Sequence, residues 1–472
     1  MRTHLARDHL TLLALFAVTR GLLHAAGVRF YDQDVARMMH FADVDLLRGD
    51  LVQTLWLMDG QPPGFNLLLG LALKCGASSG AVLRGVFLLT GWALSAGVLE
   101  LLRRRGVRSL VAVPAALLFA VQPAAVLFEN YVFYTYPVAA LLVWLVVAFG
   151  HACAARTARS WLVFWLLFAA LCWLRNLFQL GTGLALLGAV ACSRTHRRAV
   201  LVGAAAPLLL VASVHAKNFA LYGSFGSSCW LGVSLTSLTT YRLTDDERAA
   251  RVLDGRSSAV ILAPRFADIP SMRLALQGDA PPPELHPLRA RERKLGGDVN
   301  YHHAVYSAAA RKMATDAAAI LRDHPDRYLR GVLGAYLCFC SPASTWPPLR
   351  PVRRPIERLT TGVESATHAA VGGQRPGVVA LLLPLAFLLC AARSVRTLRG
   401  RGDPAACLSA WIVCYVTLAC VLLEAGENNR MRFCVDALIW VEVVAFAARR
   451  GGSRGVRPRL TSSSRVLTQQ SR

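Results

Sequence analysis

The chain has 472 residues, enough for two or three soluble domains, yet 55% of them are hydrophobic and only 17% are charged. With a mean hydropathy of +0.42, that balance excludes a soluble globular chain, and it leaves no room for collagen, coiled coil, disorder or a disulfide scaffold; the class is a membrane protein. The formal charge is +24, and every cation except Lys74, Lys217, Lys294 and Lys312 is arginine. The arginines fall mainly in short turns between apolar runs, where orientation in the bilayer and attraction to anionic headgroups account for them better than nucleic acid does.

Apolar runs long enough to cross about 30 Å of hydrocarbon as helices recur along the chain. Arg2 and Arg7 precede the first, residues 9–28, so the positive-inside rule puts the N-terminus in the cytoplasm. That run lacks a cleavage site and is followed by more spans, which makes it a signal anchor. Residues 29–80 form the first outer loop. Spans follow at 81–102, closed by Arg103-Arg104-Arg105, and at 109–127, 132–150, 161–174, 177–192 and 199–216. A long polar stretch to about residue 374 comes next, then spans at 378–392, 405–423 and 433–448.

Ten spans place each multi-arginine turn, including Arg393 to Arg401 and the tail after 449, on the cytoplasmic side, and both termini with them. Two shorter apolar segments, 64–75 and about 328–340, are expected to be re-entrant or interfacial rather than crossing. The organisation is therefore an N-terminal membrane module (1–216, with its outer loop 29–80), an outer-face loop region with interfacial helices (217–374), C-terminal spans (375–450) and a basic, disordered cytoplasmic tail (451–472). The 12 cysteines, such as Cys153, Cys172, Cys390 and Cys414, sit mostly inside apolar runs without CxxC or metal-ligand spacing and read as small core residues.

All the segments that mix carboxylates, cations, tyrosines and amides fall on the non-cytoplasmic face. The first loop carries Tyr31-Asp32-Gln33-Asp34, Asp43, Asp45, Asp50, Asp59 and Gln61-Pro62-Pro63. A carboxylate just beyond a membrane helix can take a proton from a hydroxyl, because the hydrocarbon wall lifts its pKa toward working pH; the bland reading is a solvated loop. Glu129 and Tyr131 lie at the next outer turn, where aromatics usually form an interfacial belt but a carboxylate needs a partner. Arg175 is a lone outer cation, suited to snorkelling or to a phosphate. Lys217 opens a turn rich in glycine and hydroxyls. The last turn, Glu424 to Phe433, is densest: Arg430 and Arg432 beside Glu427 and two asparagines suit bidentate capture of a phosphate.

Taken together these residues resemble the GT-C superfamily of glycosyltransferases that use polyprenyl-phosphate sugars, the group containing protein O-mannosyltransferases and the aminoarabinose transferase of lipid A. Tyr31-Asp32-Gln33 resembles the family's first-loop aspartate motif, Gly49-Asp50 its following Gly-Asp, Gln61-Pro62-Pro63 its paired prolines, and Glu427 to Arg432 its late arginine-bearing turn. The resemblance implies a GT-C-like, all-α membrane fold. It also implies transfer of a sugar from a polyprenyl-phosphate donor to a glycan, lipid or protein hydroxyl on the outer face, with inversion. Asp32 is the expected base, with Asp34, Asp43 and Asp45 able to share or take the role. Gln61, Glu129, Tyr131, Arg175, Lys217, Glu427, Arg430 and Arg432 are expected to bind substrate, and Asp32 is expected to share one site with Arg430 and Arg432. No metal ligands are expected, and a divalent cation is the one cofactor left open. The partners expected are the lipid-linked donor, the acceptor and the bilayer, with no nucleic acid. A lipid-linked glycan ligase or polymerase, and a polytopic transporter or flippase, are the rival classes; the few ionisable groups inside the spans argue against the last.

Overall fold

The computed structural model describes residues 2–191, 197–369 and 375–452; the expected tail beyond 452 and the Arg194 turn lie outside them. Among the described residues the chain is entirely helical, with three isolated bridges and no strand. In chain order the helices that frame the molecule are α1 (Arg2–Ala25), α2 (Gly64–Leu73), α3 (Ser79–Arg104), α4 (Ser109–Val121), α5 (Pro123–Glu129), α6 (Thr135–Ala155), α7 (Ala158–Leu174) and α8 (Leu180–Ala191). They are followed by α9 (Arg197–Tyr222), α10 (Ala304–Asp323), α11 (Pro325–Phe339), α12 (Val379–Leu398), α13 (Pro404–Leu423) and α14 (Asn428–Gly452).

Five of these are long and apolar enough to cross a membrane: the segment Gly76–Arg104 containing α3, then α6, α9, α12 and α13. The run expected as one span at 109–127 is instead broken, α4 and α5 meeting at 61°. Its cause is local: Pro123 cannot donate to the helix ladder and drives the residue before it, Gln122, into extended backbone (φ −60°, ψ 147°). Counted as one bent span, the pair would make six. The helices α7 and α8 are apolar but shorter than a full crossing, and the segments expected not to cross are α2 and α11.

Side chains sort the two ends of the bundle. At one end Arg105, closing α3, pairs with Asp403 and with Glu442 (3.0 Å), and Arg393 meets the same Glu442 at 2.7 Å. Asp8 of α1 accepts from Ser109 at 2.7 Å and lies 3.5 Å from Arg103. At the opposite end the connections between helices gather. There the stretch expected as a loop region builds a module with its own apolar core, in which Val233, Val260, Ile269 and Met272 pack on Val305, Tyr306 and Met313 of α10. Its short helices start on proper caps: Thr244 and Glu247 form a reciprocal capping box and Asp268 accepts from Ser271. This module is fastened to the first loop by Arg289–Asp59 (2.9 Å), Arg291–Asp45 (2.6 Å) and the Lys294 ammonium, which donates to the carbonyls of Met38 and Phe41.

Candidate functional site

After α1 the chain turns back across the end of the bundle. The Tyr31 amide donates to the Asn130 carbonyl (2.8 Å) and the Tyr31 carbonyl accepts from Val132 (3.3 Å), a single parallel bridge that stacks the Tyr31 and Tyr131 rings 6.0 Å apart and 9° from parallel. Both hydroxyls then donate to one carboxylate, Asp34, at 3.3 and 3.1 Å. Burial and Asp34 push both phenols up, so they remain donors. Asp32, two residues earlier, caps no helix amide; its Oδ2 lies 2.6 Å from where a Cβ on Gly80 would stand, against the first turn of α3.

Tyr131 leads to the arginines. Its ring meets Trp346 edge-on at 5.7 Å, and the Trp346 indole donates to Glu427 at 3.0 Å. Glu427, just before α14, also pairs with Arg430 at 2.6 Å. Arg430 is 1% exposed and faces Phe133 at 4.8 Å, Trp346 at 4.9 Å and Tyr134 at 5.6 Å. Arg175, 3% exposed, comes from the turn after α7 and lies over the same Tyr134 ring at 5.0 Å. One of its nitrogens contacts the Met431 sulfur at 2.7 Å. The other two, together with Nε of Arg430, have no partner among the described residues. Burial alone would push the Glu427 carboxyl up, but the Arg430 charge together with His40 and the hydrogen bonds from Trp346 and Arg430 outweighs it and holds the group at about 2. Glu427 pairs with Arg430, and among the described residues no carboxylate contacts Arg175, so the excess positive charge sits out of water, where it costs several kcal/mol unless an anion joins it. Aromatic faces offset part of that cost.

His40 completes the wall. Its ring packs 5.3 Å from Phe133, 5.8 Å from Tyr134 and 5.6 Å from Trp230, which belongs to the module packed on α10. Burial, then Arg430, lowers it to about 3, so the imidazole is neutral.

The structure thus brings together Asp34, Tyr131, Arg175, Glu427 and Arg430, with Asp32 on the same turn as Asp34. It sends other expected site residues elsewhere. Arg432 leaves the cluster: it pairs with Asp436 at 2.9 Å and donates to the carbonyls of Phe339 and Ser341, holding the end of α11 to α14. Asp43 caps a short helix and accepts from the Leu295 amide, and Asp45 pairs with Arg291, so both fasten the module packed on α10 to the first loop. Glu129 is taken by Arg20 of α1 at 2.5 Å and by the Tyr136 hydroxyl at 2.9 Å. Lys217 donates to the Met58 carbonyl at 2.5 Å. Gln61 is buried in the turn before α2. The residues missed by sequence reasoning are His40, Phe133, Tyr134, Trp230 and Trp346; the run Tyr131-Val132-Phe133-Tyr134 was visible but matched an ordinary interfacial belt. Among the described residues no group of histidine, cysteine and carboxylate side chains is arranged to hold a metal ion. A recess of about 280 Å³ lined by His151, Thr157 and Arg159 opens at the other end of α6, away from these groups.

Comparison with known protein families, with curated proteins and with solved structures gives no match. The class that the coordinates define is accordingly structural: an all-helical protein with helices of membrane-crossing length that buries two arginines in an aromatic wall beside a carboxylate.

Proposed function

We propose that this chain is an integral membrane glycosyltransferase of GT-C type that moves a sugar from a polyprenyl-phosphate donor to an acceptor hydroxyl on the exoplasmic face. In this reading ten helices cross, with α4 and α5 forming one broken span, and both termini lie in the cytoplasm. One observation carries the proposal: two almost wholly buried arginines lie on one aromatic wall where only Arg430 has a carboxylate, Glu427, and both keep N–H groups without a partner among the described residues, while an aspartate is tied to the same wall through Tyr131. That is the electrostatic requirement of a departing lipid phosphate next to a base.

Asp34 is the base favoured by these contacts, and Asp32 is its rival. The acceptor hydroxyl replaces one tyrosine as a donor to Asp34 and passes its proton to the carboxylate. Its oxygen forms a bond to the anomeric carbon while the bond from that carbon to the phosphate oxygen breaks, the electron pair leaving with the lipid phosphate. Arg175 and Arg430 neutralise the charge as it develops, in a place from which water is excluded. A single displacement inverts configuration.

Purified protein incubated with radiolabelled polyprenyl-phosphate sugars should release lipid phosphate. Asp34→Asn should lower turnover by about 100-fold or more with membrane insertion intact. If Asp32→Asn abolishes turnover and Asp34→Asn does not, the base is Asp32. If no donor is turned over by wild-type protein, the transferase reading fails.

A further inference from the structure

The proposed reaction makes no use of the recess between α6 and α7, which lies at the end of the bundle that carries Arg105; Arg104 donates to the Val147 carbonyl there at 3.1 Å. The recess, of about 280 Å³, is lined by Ala148 and His151 of α6 and by Thr157, Arg159, Ser160 and Val163 around the start of α7. Thr157 and Ser160 are committed to each other. The Thr157 hydroxyl accepts from the Ser160 amide at 3.2 Å and donates to the Ser160 hydroxyl at 3.0 Å, which donates in turn to the Thr157 carbonyl at 2.8 Å. Arg159 and His151 are therefore the side chains available to a ligand; both are exposed, and neither makes a hydrogen bond or ion pair among the described residues.

The charge of the recess is unbalanced. Arg156, in the turn that joins the two helices, is exposed and meets no acid among the described residues. The acids at this end are already taken: Asp8 lies by Arg103, Glu100 pairs with Arg104, Asp403 with Arg105, and Glu442 with both Arg105 and Arg393. An anion therefore fits, and a group carrying its own ammonium finds no carboxylate to receive it.

Toward the middle of the spans the lining becomes apolar. Ala148 is followed on the same face of α6 by Trp144 and Leu141, both half-buried, and Val163 is followed on α7 by Leu166. Val163 and Leu166 are each 48% exposed. A free phosphate would use the cations and leave this track bare, whereas a phospholipid uses both parts, its phosphate on the guanidinium and an acyl chain along the track.

With α6 and α7 crossing the bilayer, as the transferase reading has them, we propose that this recess is a site for an anionic phospholipid of the phosphatidylglycerol kind. Arg159 and His151 hold its phosphate, and Ala148, Val163 and Leu166 receive the first part of a chain.

The test uses full-length protein freed of lipid in detergent, with affinity measured for phosphatidylglycerol, for phosphatidylcholine with the same chains, and for inorganic phosphate. Phosphatidylglycerol should bind about tenfold more tightly than phosphatidylcholine and raise the melting temperature, and inorganic phosphate should do neither. Arg159→Gln should weaken phosphatidylglycerol binding about tenfold, and Ala148→Trp, which fills the recess without touching either cation, should weaken it as well. Without added lipid, Arg159→Gln should melt where wild type does, which reports that it folds. Equal affinity for the two lipids, stabilisation by inorganic phosphate alone, or wild-type affinity in Arg159→Gln each overturns the proposal and leaves the transferase reading standing. Failure of every sugar donor to turn over, with lipid binding as expected, removes that reading and leaves this site.

Discussion

The two ends of the helical bundle treat arginine in opposite ways. At the end bearing Arg105, cations and acids are matched: Arg105 is 4% exposed at its side chain and meets both Asp403 and Glu442, and Arg393 shares Glu442. At the end bearing Arg175 and Arg430, Glu427 pairs with Arg430 but no carboxylate among the described residues contacts Arg175, two of whose nitrogens lack a partner there. Matched buried charge clamps helices together, whereas unmatched buried charge is costly unless something binds it. The comparison teaches that the orientation rule for arginine does not cover both ends: one set ties α3, α12, α13 and α14 through matched acids, and the other leaves Arg175 buried without one.

That contrast can be broken by exchanging its consequences. The largest effect is expected from Arg430→Ala, which should lower turnover by about 100- to 1,000-fold while the thermal midpoint falls little, because the Glu427 carboxylate it unpairs is 38% exposed and keeps the Trp346 indole as a donor. A large loss of stability with proportionate loss of folded protein would make Arg430 a clamp like Arg105. Next comes Glu442→Gln at the matched end, which strands Arg105 and Arg393 and should cost roughly 3 kcal/mol, read as a lower melting temperature, with kcat per folded molecule unchanged. A fall in kcat there would mean that the two ends are coupled.

A smaller, pH-dependent effect follows from the histidines. Folded His40 and His302 stay neutral down to about 3, whereas in the unfolded chain they protonate near 6.5. The unfolded state therefore binds more protons between those values. Stability is complete above about pH 6.5 and falls as pH drops toward 3, by at most about 1.4 kcal/mol per pH unit for each ring. His40→Phe should flatten the dependence of melting temperature on pH between about 7 and 5; an unchanged slope would show that the ring titrates normally. The smallest effect belongs to Asp45→Asn. Its carboxylate is a half-buried partner of Arg291, and its loss should shift stability by about 1 kcal/mol or less and leave turnover alone, unless Asp45 takes part in the reaction.

How much of this was legible in the sequence depended on range. Helices arise from local apolar runs, so α3 and α13 coincide with expected spans to within two residues, while α6, α9 and α12 run five or six residues past the expected C-terminal end. The break at Pro123 was missed because the flanking run stays apolar across it. For the site, Glu427, Arg430 and Arg175 were legible as cations and an acid placed against the trend of their surroundings. Arg432 was misread by proximity: two residues along a helix from Arg430 it points to a different face, toward Asp436. Glu129, Asp43 and Asp45 could not be separated from reactive acids, because their partners Arg20 and Arg291 are distant in sequence. The aromatic wall was invisible for the same reason, since Trp346, His40 and Trp230 reach Tyr134 and Phe133 only through the fold.

Direct measurement of polyprenyl phosphate binding to wild-type protein and to Arg175→Leu, Arg430→Leu and Asp34→Asn addresses the anion site without requiring turnover. The expected result is an affinity about 100-fold weaker in each arginine variant and near the wild-type value in Asp34→Asn. Equal affinity in all four proteins would contradict the assignment of these arginines to a lipid phosphate.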